Sequence, residues 1–247
     1  MSAGRHIYGR HPVSEALRTQ PAQVRKLYVA DGAQGGRISD LVATAESRGV
    51  SVVTCARGTL ERLVGKAPHQ GVVAEVIAFA YQTPAQCLLT PGGRPPLVVA
   101  CDQIQDPHNL GSMIRSAFAL GASGLMIVKD RACEVTPTVV KTSAGATAHL
   151  PISRVTNLRR ALEDLKEAGL WIVGTVVDGG KPLDEIDLCA PTALVLGCEE
   201  KGMRRSTTAA CDHVAHIPMP GALGSLNASV ALAICLYEAT RQRRVLP

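Results

Sequence analysis

Residues 97–128 read LVVACDQIQDPHNLGSMIRSAFALGASGLMIV, and their pattern decides the fold class. Leu97 to Cys101 is an unbroken apolar run of strand length. Asn109 to Leu120 carries apolar residues at helical spacing and stops at Gly121, and Leu125 to Val128 is a second apolar run. Strand, helix and strand in that order make a βαβ unit, which sets two parallel strands in one sheet. Working outward, Trp171 to Thr175, Ala193 to Gly197 and Val214 to Ile217 read as further buried strands. Pro137 to Ala146, Asn157 to Ala168 and Leu226 to Arg241 read as helices between and after them. The expectation is an α/β domain over residues 97–247 with a mostly parallel sheet, whose ligands approach beyond the carboxyl ends of the strands.

Toward the N-terminus the pattern is finer. His11 to Thr19, Ile38 to Arg48 and Thr59 to Val64 read as helices, and Lys26 to Ala30, Val50 to Thr54 and Gly71 to Ile77 as strands, giving a compact α/β unit over residues 1–80. Between the two, Tyr81 to Pro96 holds Pro84, Thr90-Pro91-Gly92-Gly93 and Pro95-Pro96 with little periodicity, and reads as a linker, residues 81–96.

Bulk properties narrow the function classes. The formal charge is +5, and residues 1–80 hold 10 Lys or Arg against 6 Asp or Glu, so most of the excess sits in the first third. That suits a phosphate-bearing partner, and equally a solvated surface. The eight cysteines stand singly with no Cys-x-x-Cys, the pattern of free thiols in a reducing compartment rather than a disulfide framework or zinc site. With no apolar run of 18 residues and no signal-like leader, the expected location is the cytoplasm, with no membrane partner.

Neither a Gly-x-Gly-x-x-Gly fingerprint after the first strand nor a P-loop is present, which weakens a nucleotide-dependent metabolic enzyme such as an NAD-linked one. Three polar, glycine-containing stretches stand out instead. They are Asp106-Pro107-His108-Asn109-Leu110-Gly111 leading to Arg115, Gly197-Cys198-Glu199-Glu200-Lys201-Gly202, and Ile217-Pro218-Met219-Pro220-Gly221 followed by Ser225-Leu226-Asn227-Ala228-Ser229. Each has a plain alternative: Asn109 can be a helix cap, and Ser225 and Asn227 cap and turn residues. Arg115 sits among Met113, Ile114, Ala117 and Phe118, where a cation needs a partner or an exit to solvent.

Together, in this order and spacing, the three stretches resemble the motifs of the SpoU/TrmH family of RNA 2′-O-ribose methyltransferases. Ile7-Tyr8-Gly9-Arg10-His11-Pro12 and His69-Gln70-Gly71-Val72 resemble the two ends of that family's N-terminal substrate-binding domain, similar to ribosomal protein L30e. Arg154-Val155-Thr156-Asn157-Leu158 and Trp171-Ile172-Val173-Gly174-Thr175 are closest to a branch that methylates a guanosine in the peptidyl-transferase region of 23S rRNA. The resemblance implies a C-terminal SPOUT domain with a deep trefoil knot, against the usual avoidance of knots, and an L30e-like RNA-binding domain before it. It also implies S-adenosylmethionine (SAM) as methyl donor without a metal, large-subunit ribosomal RNA as partner, and a homodimer. Carried onto this chain, the catalytic set is Arg115, Asn109, Glu199, Ser225 and Asn227, and the cofactor-binding set is Thr175, Gly197, Glu199, Gly202, Ile217, Met219 and Leu226. Glu200 stands where the family usually has Gly, and Ala228 where it often has Val. Two other functions remain open at this stage, a tRNA 2′-O-methyltransferase and an RNA-binding assembly factor without catalysis.

Overall fold

The computed structural model describes residues 5–19, 21–33, 36–198, 201–221 and 224–244. The chain forms two compact units that divide between Ala80 and Tyr81.

The first unit runs β1 (Arg5–Tyr8), α1 (Arg10–Thr19), β2 (Val24–Ala30), α2 (Gly36–Ser47), β3 (Ser51–Cys55), α3 (Arg57–Val64) and β4 (Val72–Val76). Its sheet has the order β1-β4-β2-β3, with β2 and β3 parallel and β4 antiparallel to both its neighbours. Val13 and Leu17 of α1 and Ile38, Leu41 and Ala45 of α2 recur at helical spacing, and they bury against Leu27, Val29, Val72 and Ala74 of the sheet. Leu60 of α3 packs on Ala30 and Val73, which alternation places on the opposite face. β1 was not expected, because four residues with two cationic or imidazole side chains carry no strand signature of their own.

The second unit comprises β5 (Leu97–Asp102), α4 (Pro107–Ala119), β6 (Gly124–Val128), α5 (Pro137–Thr142), β7 (Ile152–Val155), α6 (Leu158–Glu167), β8 (Trp171–Val176), β9 (Lys181–Pro182), β10 (Thr192–Gly197), α7 (Arg205–Thr208), β11 (His213–His216) and α8 (Ala228–Arg244). Its seven-stranded sheet, order β7-β6-β5-β10-β8-β11-β9, is parallel throughout. Leu158, Ala161, Leu162 and Leu165 form the buried stripe of α6 against Val98, Ala100, Met126, Ile172 and Val195, each Leu contributing about 2 kcal/mol of apolar burial. α4 packs against both α5 and α8, with Leu110, Met113, Ile114, Leu232 and Leu236 removed from solvent.

Three expectations change. The segment 81–96 is not free chain: the Gln82 N–H donates to the Ile152 carbonyl, and the Tyr81 hydroxyl accepts from the Val135 N–H. Cys87 is buried, and Gly124 is needed above it, because a Cβ there would stand 2.4 Å from the Cys87 Cβ. Helix α5 ends at Thr142, short of Ala146. The Thr142 and Ser143 hydroxyls turn back onto the Thr138 and Val140 carbonyls, and Ala144 and Gly145 turn left-handed. Read from sequence, Arg241, Arg243 and Arg244 form either a phosphate contact or a frayed basic tail; at two positions the structure shows neither. Arg243 donates to the Pro95, Leu188 and Ala190 carbonyls, burial pushing its guanidinium below the usual range, and Arg241 pairs with Glu238 at 2.7 Å.

Candidate active site

The carboxyl ends of β5, β10 and β11 lead into the loops that sequence reading singled out. At the end of β10, Gly197 pairs with Asp102 of β5. The chain then doubles back, with Gly202 N–H donating to the Cys198 carbonyl at 2.8 Å. Two glycines make this return possible for different reasons. A Cβ on Gly197 would meet the Gly202 carbonyl carbon at 2.0 Å and the Met203 nitrogen at 2.1 Å, so no side chain fits there. Gly202 has φ 62°, left-handed backbone that other residues adopt at a cost.

The loop is then fastened by a buried carboxylate. Asp102 is fully buried, and it accepts from the Arg204 backbone N–H at 2.9 Å and from the Arg204 Nε at 2.8 Å. A buried carboxylate without such donors would be costly. The pair therefore ties the residue following Met203 to the strand that leads into Asp106-Pro107-His108-Asn109. Sequence reading missed both residues; the signal was an acidic residue ending a five-residue apolar run, where only burial with a partner explains it.

Above these loops lies a cavity of about 370 Å³, lined by Thr175, Val176, Leu196, Gly197, Gly202, Met203, Ile217, Met219, Ser225 and Leu226 among others. Thus Thr175, Gly197, Gly202, Ile217, Met219 and Leu226 meet in one place from three separate stretches of chain. The volume falls within the range of small-molecule sites. Aliphatic side chains of Leu196, Ile217, Met219 and Leu226 can cover a flat heterocycle, while loop backbone supplies hydrogen-bonding groups. The Thr175 hydroxyl is already committed, donating to the Val195 carbonyl at 3.1 Å.

The catalytic set divides. Asp106, not Asn109, caps α4: its carboxylate accepts from the His108 and Asn109 N–H groups at 3.1 and 3.2 Å. That leaves the Asn109 side chain free of capping, and its Oδ1 accepts from the Asn227 Nδ2 at 2.9 Å, 118 residues away in sequence. Asn227 in turn accepts from the Ser229 N–H and hydroxyl, so it also caps the start of α8. One asparagine therefore serves both readings. Ser225 is exposed and lines the cavity. Arg115 is exposed on α4, with no hydrogen bond or ion pair among the described residues, so it takes the exit to solvent. Gly111 on the same helix sits against α5, where a Cβ would overlap the Thr142 Oγ1. Glu199 and Glu200 lie outside the described residues.

Residues 96–237 match the SpoU rRNA Methylase family, and residues 6–82 match the RNA 2′-O ribose methyltransferase substrate-binding family. The chain belongs to the SpoU rRNA methylase family. A SpoU relative from Coxiella burnetii, 23S rRNA (guanosine-2′-O-)-methyltransferase RlmB, is 43% identical over 98% of both chains. The crystal structure of the SpoU methyltransferase AviRb from Streptomyces viridochromogenes with AdoMet has a TM-score of 0.63, with 30% identity over 98% of this chain and 91% of that one. The A. aeolicus TrmH/SpoU tRNA modifying enzyme has a TM-score of 0.57, with 30% identity over 61% of this chain and 77% of that one. The likeness to the first two thus spans both units of this SpoU chain, whereas the third accounts for less than two thirds of it.

Burial withdraws four of the thiols from chemistry. All eight cysteines are free, and burial pushes Cys101 and Cys235 up to about 12 and Cys87 and Cys211 up to about 11. Those four remain protonated at neutral pH and offer no nucleophile.

Proposed function

We propose that this protein transfers a methyl group from SAM to the ribose 2′-hydroxyl of a guanosine in 23S rRNA. The observation that carries the reading is the single cavity in which six cofactor-site positions from three loops converge, with Asn109 joined to Asn227 beside it. Full-length likeness to RlmB supports the rRNA guanosine, and the partial cover by the tRNA-modifying relative weighs against tRNA.

SAM supplies an activated methyl group on a sulfonium that departs as a neutral thioether. The protein's own task is to align the hydroxyl and make it more nucleophilic. Arg115 carries that role: a guanidinium remains protonated in proteins, so it acts by stabilising developing alkoxide charge or by orienting the adjoining phosphate. Asn109 and Asn227 hold α4, which bears Arg115, to the loop that carries Ser225 and Leu226. Gly197 and Gly202 shape the cofactor loop, and the Asp102–Arg204 pair fixes its end.

The first unit recognises the RNA, consistent with its excess of Lys and Arg. The active form is a homodimer. Val230, Ile234 and Tyr237 make an exposed apolar stripe at i, i+4 and i+7 on α8, the kind of face a second subunit covers. Among the described residues no helix is long and apolar enough to cross a membrane, and an rRNA substrate supports a cytoplasmic location.

The test is incubation of purified protein with radiolabelled SAM and unmodified rRNA or tRNA, followed by mapping of 2′-O-methylation. Label at one guanosine of 23S rRNA is expected. Label in tRNA would overturn the substrate, and SAM binding without transfer to any RNA would leave an assembly factor.

A further inference from the structure

The aliphatic lining and glycine backbone of the second unit's cavity leave one residue without an account. Among the described residues that line it, Lys201 is the only charged one, and it comes from the turn between Cys198 and Gly202. A bound sulfonium is itself cationic, so a lysine in the same cavity opposes cofactor binding unless it meets negative charge there. Asp102, the buried carboxylate that fastens this loop, does not supply that charge, because Arg204 engages both its oxygens.

The other polar side chains of the wall are mostly committed to the protein. The Thr175 hydroxyl donates to the Val195 carbonyl, the Thr208 hydroxyl to the Arg204 carbonyl at 3.2 Å, and the Cys198 thiol to the Gly202 carbonyl at 3.7 Å. Lys201, like Ser225, is exposed, and it has no hydrogen bond or ion pair among the described residues. Its backbone is nevertheless held from both sides. Cys198 and Gly202 form an antiparallel bridge across the turn, and Arg204, three residues on, is tied to Asp102 at 2.8 Å. An uncommitted ammonium thus stands on a fixed base in the cavity wall.

We infer that Lys201 pairs with the carboxylate of SAM and so sets which way round the cofactor lies. The inference rests on the cavity being the SAM site and names the group that meets the cofactor's anionic end. SAM carries a carboxylate, an ammonium and the sulfonium, and a lysine gains from the first while it is repelled by the other two. Aliphatic Leu196, Ile217 and Leu226 suit the adenine, so Lys201 leaves one polarity, with the amino-acid end of SAM toward the 198–202 turn. The thioether product keeps the carboxylate and has lost the sulfonium. Lys201 therefore holds both forms of the cofactor alike and contributes to binding rather than to the transfer step.

The experiment is calorimetric binding of the full chain, as wild type, Lys201→Met and Lys201→Arg, to SAM, to S-adenosylhomocysteine and to decarboxylated SAM. The methionine variant is expected to bind the first two about five- to tenfold more weakly, between the effect of an exposed ion pair and that of a charge-assisted hydrogen bond. Its affinity for decarboxylated SAM does not fall, which also shows that the cavity is intact, and the arginine variant restores most of the loss. An equal loss for all three compounds would make Lys201 a support of its own loop and overturn the inference. Tighter binding of SAM by the methionine variant would place Lys201 beside the sulfonium and overturn it as well, as would wild-type affinity for SAM. Wild type that binds none of the three compounds would sink the cofactor cavity itself, and the inference with it, whereas wild type that binds SAM leaves the cavity standing whatever the variants do.

Discussion

The two ligand-facing regions of this chain are built from opposite materials. Around the cavity proposed for the cofactor, backbone does the shaping: Gly197 has no room for a side chain, Gly202 has left-handed backbone, and the carboxylate that fastens the loop, Asp102, is buried and engaged by Arg204. In a cleft of the first unit, long charged side chains stand at the starts of three helices, Arg10 touching Gln70, Arg57 touching Glu61 and Arg37 with no side-chain partner among the described residues. An invariant small cofactor can be met by a fixed surface with little left to adjust. A large flexible nucleic acid is met by side chains that reorganise around phosphates. The difference teaches where substitutions should be unforgiving and where they should be graded.

The largest effect should come from Gly197→Ala. The added Cβ would collide with backbone rather than with a flexible side chain. SAM affinity measured by calorimetry should fall by about 100-fold, the upper end of the usual 1–3 kcal/mol of overpacking, while the thermal midpoint of the first unit stays put. Wild-type SAM affinity would break the contrast, because the loop would then tolerate side chains as the cleft does.

Next in size is Asp102→Asn, which keeps shape but removes the charge that the Arg204 Nε and backbone N–H both address. Arg204 is part-exposed, so neutralising Asp102 costs about 1.5–3 kcal/mol, the range of hydrogen bonds to a charged group; a loss of stability and a raised KM for SAM are expected, with kcat less affected. Arg204→Ala should be milder, since its backbone N–H still donates. A double-mutant cycle on Asn109→Ala and Asn227→Ala should give a coupling of about 1 kcal/mol in activation free energy, the size of one neutral hydrogen bond. Full additivity would mean that α4 and the third loop act independently.

The smallest effect concerns the thiols. Burial holds Cys87, Cys101, Cys211 and Cys235 above the usual thiol range. At pH 8 the native protein should therefore alkylate at other cysteines, and all eight should react once unfolded. The sign carries over to stability. Folded values raised above unfolded ones leave stability intact at neutral pH and erode it as pH climbs from about 9 toward 12.

The parallel sheet was legible because five of its strands are apolar runs bounded by glycines and helix signals, from Leu97 to Cys101 through Val214 to Ile217. β7 and β9 were not, since Ile152–Val155 is a four-residue edge strand containing Arg154 and Lys181–Pro182 is only two residues long. The three motifs were legible as polar interruptions, yet their meeting was not. A hydrogen bond between Asn109 and Asn227 leaves no trace in local pattern, and a threaded chain has no periodic signature. Asn109 was open to a capping role because it stands beside the residue that caps, Asp106. Residues 81–96 read as a linker because prolines and glycines mask a segment held by Cys87, Tyr81 and Gln82 rather than by periodic contacts.

The account's central claim is that one fixed cavity binds the cofactor while a separate, exposed cation activates the hydroxyl. It is tested most directly by measuring SAM affinity and single-turnover methyl transfer to 23S rRNA in Arg115→Ala, with Arg115→Lys followed across pH. The account predicts wild-type SAM affinity in both variants, transfer slowed by about 10²–10³ in the alanine variant, and no pH optimum moved downward in the lysine variant. SAM affinity lost together with transfer would place Arg115 in the cofactor site. A lysine variant that kept most activity with its optimum shifted to lower pH would make position 115 a general base, and either result would contradict the division of labour described above.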